Sequence, residues 1–214
     1  MCDDKCYKNR RTESLRSGVR QCGYCKSTTI HLDTLAFNGI FYIFALIYNM
    51  KNMHELKIET RAQVFSYAEL PASLQALVQR AKEQVQNSYS PYSHFAVGAA
   101  LLLDNGEILT GSNQENAAYP SGLCAERTVL FYAHANRPGI GMRALAIAGY
   151  TNGSYVDDPI SPCGSCRQVM AEFEQTSNHP MQVLLCGARE VYLFESARDL
   201  LPYSFLKESL LSER

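Results

Sequence analysis

The sequence predicts an α/β domain in which helices pack on one mixed sheet. Three observations carry that class. The predicted elements follow in the order helix, two strands, helix, strand, helix, two strands. Leu74, Leu77, Val78, Ala81 and Val85 recur at helical spacing and make one apolar stripe. Phe95–Leu103 is a continuous apolar run that reads as a buried strand, and the following Asp104-Asn105-Gly106 is hairpin chemistry, since Asn and Gly tolerate positive φ.

Taken in order, Tyr67–Pro71 reads as an entry turn, with Pro71 suited to a first helical turn, where its missing N–H costs nothing. The apolar stripe follows and is stopped by Asn87-Ser88-Tyr89-Ser90-Pro91. After the hairpin, Ile108–Ser112 returns as the partner strand. A polar loop from Asn113 to Leu123 leads into a helix predicted over Cys124–Asn136, which Pro138 and Gly139 close. Arg143–Tyr150 is another apolar strand, and Thr151–Pro162 a loop. Cys163–Gln175 is predicted as a short helix with Val169, Met170 and Phe173 inward. Met181–Cys186 and Val191–Glu195 read as two strands, and Asp199–Phe205 closes the domain.

Length and composition fit one soluble domain with an appendage: 214 residues, 46% of them apolar. Charge is uneven. Residues 1–33 hold seven Lys/Arg against four Asp/Glu, whereas residues 54–214 hold 12 against 17. An acidic domain without Trp is a poor nucleic-acid partner, because such affinity rests on neutralised phosphates and aromatic platforms. The apolar run Leu35–Tyr48, 14 residues long, is short of the roughly 20 a membrane span needs. With no secretory signal and thiols that need reducing surroundings, a cytoplasmic protein without membrane contact is expected. Residues 1–53 read as an N-terminal extension, basic and then apolar, expected to be poorly ordered, and residues 54–214 as the main domain. Either the native product starts at Met50 or Met53, or the extension is real and docks or anchors. Its Cys2, Cys6, Cys22 and Cys25 approximate a zinc ribbon but have little else to fold around.

The chemistry is concentrated in Cys124-Ala125-Glu126, answered 36 residues later by Pro162-Cys163-Gly164-Ser165-Cys166. Three thiolates bind zinc tightly and leave a fourth position free, which is how catalytic zinc is held. Both segments fall at predicted helix starts, where free N–H groups favour thiolate over thiol. Cys163 and Cys166 are three apart and project from one turn. Glu126, two residues from a ligand, can move protons without binding the ion. Three thiolates leave Zn²⁺ with net negative charge, and Arg127 is placed to offset this by hydrogen bonding to sulfur. The competing reading is a closed four-cysteine site with Cys186 as the last ligand and no catalysis.

Ligand-x-Glu followed by Pro-Cys-x-x-Cys is the signature of zinc deaminases. Further stretches narrow it: Tyr89-Ser90-Pro91-Tyr92-Ser93-His94-Phe95, Val97-Gly98-Ala99-Ala100, Asn113-Gln114-Glu115-Asn116-Ala117 with Tyr119-Pro120, Cys124-Ala125-Glu126-Arg127, and Ile160-Ser161-Pro162-Cys163 with Cys166-Arg167-Gln168-Val169. With these, residues 70–205 resemble the small homotetrameric class of cytidine deaminase. The resemblance implies a three-layer α/β/α sandwich on a five-stranded mixed sheet. It also implies zinc-dependent hydrolysis of cytidine and deoxycytidine to uridine, deoxyuridine and ammonia in pyrimidine salvage. Cys124, Cys163 and Cys166 would hold one zinc per subunit, with Glu126 as proton shuttle. Asn113 and Glu115 would bond the ribose hydroxyls, within a substrate-binding stretch that includes Asn116 and Ala117. Phe95 would pack on the base, Ala125 would offer its N–H to the base O2, and Ser161 its carbonyl to the leaving amine. Tyr119 and Phe205 would complete the pocket, in part from a neighbouring subunit of the tetramer. Ala96 and Ala118 depart from the pattern without touching these roles.

Overall fold

The computed structural model describes residues 54–211. The extension 1–53, with its four cysteines and its apolar run, lies outside the described residues. Seven strands form one sheet in the order β1-β7-β6-β4-β2-β3, with β5 paired to β4 off that path. They are β1 (Gln63–Ser66), β2 (Ala96–Leu103), β3 (Ile108–Ser112), β4 (Met142–Thr151), β5 (Ser154–Tyr155), β6 (Gln182–Cys186) and β7 (Glu190–Phe194). The helices are α1 (Ala72–Gln84), α2 (Ala125–Asn136), α3 (Gly164–Ser177) and α4 (Lys207–Leu211). The β4–β6 joint is parallel, made by the crossover through α3, while the other pairings are antiparallel.

The three layers agree with expectation, but the strand count of five does not. The five-strand path β3-β2-β4-β6-β7 is present, and β1 lengthens it at the β7 edge, from Gln63↔Leu193 to Ser66↔Glu190. Four residues with one half-buried member give no readable alternation, so pairing with β7 makes this a strand. The two-residue β5 lies inside the stretch expected to be loop, and α4 extends past the expected close of the domain. Pro71 sits just outside its helix, as the extended residue before Ala72.

Strand alternation sorts the residues of the central strands between two faces, with the smaller ones of β4 on one side. One face carries Ala100, Ala144, Ala146 and Ala148, packed with Leu74, Leu77, Val78 and Ala81 of α1. The other carries Leu101, Leu103, Leu145, Ile147, Val183 and Leu185, packed with Val129 and Leu130 of α2 and Met170 and Phe173 of α3. Gly98 lets α1 approach closely: a Cβ there would meet the Ala81 carbonyl oxygen and lie 2.7 Å from Val85 N. The hairpin closes as expected, with Gly106 at φ +85°.

Candidate metal centre and substrate site

Cys124 and Cys163 occupy equivalent places. Each is the extended residue immediately before its helix, at φ −71°, ψ 153° and φ −67°, ψ 165°. The ladder of α2 begins with Thr128 N–H on Cys124 O, and that of α3 with Arg167 N–H on Cys163 O. The N–H groups of the first turns therefore have no partner within their helices and point at the cysteines. Sulfur Sγ of Cys124 lies 3.9 Å from that of Cys163, which lies 3.4 Å from that of Cys166, and all three fall within 4.8 Å of one another. Sulfurs around a tetrahedral zinc stand about 3.8 Å apart, given a Zn–S bond of about 2.3 Å. The donor set therefore fits zinc. Cys166 is buried, Cys124 half-buried and Cys163 exposed, so the cluster opens on one side.

The closed four-cysteine reading fails among the described residues. Cys186 packs on the α1 face of the sheet with its thiol pushed up to about 12 by burial, while the sulfur cluster belongs to the α2/α3 side.

Electrostatics around the sulfurs is paired. Cys124 is drawn down to about 5, chiefly by the hydrogen bond from Cys166 and then by Arg127, while Cys166 is raised as the partner that keeps its proton. Arg127 Nη2 stands 3.7 Å from Cys124 Sγ, the contact expected of a charge-offsetting neighbour. Its Nε–H is buried without an acceptor. Glu126 is 4% exposed, and burial first, then the Cys124 charge, lift its carboxyl above the ordinary range. Its own backbone N–H and the Cys166 thiol act in the opposite direction.

Hydrogen bonds tie the two loops that carry several of the expected substrate residues. Asn113 accepts at Oδ1 from Val97 N (2.8 Å) and Ser88 Oγ (2.5 Å), and donates from Nδ2 to Phe95 O (2.9 Å). Most of its amide is thus spent holding Phe95 and β2, and one N–H remains. Glu115 accepts from the N–H groups of Tyr92 (2.9 Å) and Ser93 (3.3 Å), and hydrogen bonds from Ser93 and Tyr92 hold its carboxyl below the ordinary range. Gln114 and Leu123 exchange backbone hydrogen bonds, pinning the loop that delivers Cys124. Phe95 follows a left-handed His94 (φ 55°), and its ring lies over Gly149, where a Cβ would come within 3.2 Å of it and 3.0 Å of Ile160. Ala125 is buried, while Asn116, Ala117 and Ser161 are exposed. Tyr119 and Phe205 are 77% and 59% exposed, and the Tyr119 ring lies 6.4 Å from that of Tyr92 between centres. Neither the Ser88 bond to Asn113 nor the close approach at Gly149 is among the expectations from the sequence. A glycine inside a strand is the usual sign of close approach and could have marked Gly149.

Three sulfurs on two helix starts, with a buried acid that is not one of the ligands, define a zinc-dependent hydrolytic centre on an α/β/α frame. The model of the "Cytidine and deoxycytidylate deaminase zinc-binding region" matches residues 71–179. The chain belongs to that family. It is 41% identical over 138 residues to the cytidine deaminase of Sporosarcina psychrophila, covering 64% of this chain and 94% of that protein. To that of Mycobacterium tuberculosis it is 38% identical over 137 residues, covering 63% and 90%. The crystal structure of cytidine deaminase from Burkholderia pseudomallei superposes with a TM-score of 0.52 at 44% identity, covering 61% of this chain and 97% of that one.

Proposed function

We propose that this enzyme hydrolyses the 4-amino group of cytidine and deoxycytidine, giving uridine and deoxyuridine plus ammonia in pyrimidine salvage. Zinc-dependent deamination of cytidine follows from family membership and from the three-thiol cluster. The observation that carries the assignment of roles is the burial of Glu126, two residues from Cys124 in the first turn of α2, within electrostatic reach of Cys124 and Cys166.

Cys124, Cys163 and Cys166 would hold the zinc, which would supply the acidity that makes a water nucleophilic near neutral pH. Glu126 takes one proton from that water and places it on ring N3. The water oxygen adds to C4, giving a tetrahedral centre. Glu126 then passes the second proton to the amine, which leaves as ammonia. A carboxyl lifted by burial suits this double duty, since it accepts a proton readily and gives it up again. Ala125 N–H holds the base O2, the Ser161 carbonyl receives the amine, and Phe95 covers the ring. The remaining N–H of Asn113 and the Glu115 carboxylate bind the ribose hydroxyls, with Asn116 and Ala117 lining the same stretch. Polar partners built to bond the sugar disfavour a ligand that lacks it.

Tyr119 and Phe205 complete the pocket, and their exposure supports a homotetramer in which neighbouring copies share sites. Cytoplasmic residence fits free thiols, and no helix among the described residues is long and apolar enough to cross a membrane.

The test is loss of ultraviolet absorbance from cytidine. The zinc-loaded protein turns cytidine over. Glu126→Ala retains about one zinc per chain by metal analysis and loses turnover by roughly 10²–10⁴ or more. Near-normal turnover in that variant would overturn the assignment.

A further inference from the structure

We propose that Arg167 and Gln168 are positioning residues for Phe205, so that the turn carrying two metal ligands also sets the aromatic wall of the substrate site. This rests on the reading of Phe205 as part of that pocket.

Arg167 spans two segments. Its Nε donates to Pro162 O (2.8 Å), just before the ligand turn, and its Nη1 donates to Leu200 O (3.1 Å). Gln168 Nε2 donates to Phe205 O at 2.6 Å. Between the two anchors Tyr203 adopts a left-handed conformation, φ 62°, with its side chain 88% exposed. A bulky residue stays in that region only where its flanks are fixed. Here the flanks are fixed by α3.

The same helix stripe continues. Glu174 accepts from Ser196 Oγ (2.8 Å) and Ala197 N (2.7 Å), and Gln175 bonds Glu208. Positions 167, 168, 174 and 175 recur at heptad spacing, so one polar stripe of α3 holds residues 196–208. The segment's fixed placement is not repaid by the Phe205 ring, which is 59% exposed in its own chain. A ring held by its backbone and left uncovered serves a surface beyond its own core.

The experiment measures steady-state cytidine kinetics, zinc content and thermal unfolding for Gln168→Glu, Phe205→Leu and the double variant. Gln168→Glu keeps the shape and removes the donor. Gln168→Met, uncharged and of similar length, covers the case in which the added charge unfolds the chain. Phe205→Leu is expected to raise KM roughly tenfold. Gln168→Glu or Gln168→Met is expected to raise it roughly three- to tenfold, with kcat within about twofold and zinc content unchanged. The double variant is expected to be no worse than Phe205→Leu alone, since both changes act through one ring. If Phe205→Leu raises KM and the Gln168 variants do not, the tether is refuted and the pocket reading stands. If Phe205→Leu leaves KM unchanged, the pocket reading fails and this inference with it. Loss of zinc or of kcat at constant KM in the Gln168 variants would show that Gln168 serves the ligand turn alone, and the proposal falls.

Discussion

The two faces of the sheet differ in the size of what they carry. Beneath α1 the central strands β2 and β4 offer Ala100, Ala144, Ala146, Ala148 and Gly98, and one helix runs close to backbone at Gly98. Beneath α2 and α3 they offer mostly Leu, Ile and Val, with Gly111 admitting the backbone of α2 at Ala125 and Val129. The close face contains none of the expected site side chains except through loops that leave it. The wide face ends in two helix starts whose first residues converge on one sulfur cluster. Both faces carry core, while the sulfur cluster belongs to one of them, so the α1 face can be disturbed apart from the chemistry.

The largest disturbance falls on the close face. Gly98→Val should destabilise the chain by roughly 3 kcal/mol or more in denaturant unfolding, because its Cβ has backbone of α1 on one side and cannot relax. Folded Gly98→Val protein should still bind zinc with its usual affinity. A normal unfolding midpoint for that variant would erase the distinction between the faces.

A smaller change strikes the wide face alone. Arg127→Gln removes the contact to Cys124 Sγ, and zinc affinity should fall about 10- to 100-fold in competition with a chelator while thermal stability of the sheet changes little. Unchanged affinity and rate would retire the charge-offsetting role.

The smallest effect lies at the far end of α3 from the thiols. There His179 Nε2 meets Asp104 Oδ2 at 2.9 Å. The imidazole is raised above its ordinary 6.5, first by its hydrogen bond with the Pro180 carbonyl and then by Asp104. Asp104 is lowered below 3.8, first by the hydrogen bond from His179. A raised histidine gives stability that is complete below 6.5 and disappears as pH climbs through its folded value. A lowered aspartate gives stability that is present above 3.8 and disappears as pH falls through its folded value. Melting curves of wild type and His179→Gln should therefore differ near pH 6 and converge toward pH 9, by less than about 1 kcal/mol for so exposed a pair. A difference that stays constant across that range would refute the linkage.

Much of this plan was legible in the chain itself. The stripe from Leu74 to Val85, the Asp104-Asn105-Gly106 turn and the two cysteine segments each obey a local rule, and the structure places them within a residue or two of expectation. What escaped has no local rule. β1 is strand only because β7 offers it an edge, and β5 is two residues folded back on β4. Asn113 shows the same limit inside the site. Motif resemblance implies a sugar ligand, yet its amide also clasps Phe95 and Val97, a contact that pattern cannot reveal because the partners lie 18 and 16 residues away. Arg167 and Gln168 stood in plain view within the motif, but their acceptors are carbonyls 33 and 37 residues downstream.

The parallel joint of β4 and β6 has a cost in time. Cys124 precedes β4, while Cys163 and Cys166 belong to the crossover that must be laid down before β6 can dock. Crossover pairing is slow compared with hairpin closure, because a long loop must be ordered before any contact rewards it. A newborn chain therefore passes through an interval in which its sulfurs have not yet met. Oxidants that reach it during that interval, ahead of the ion, would find reactive thiols with nothing to shield them.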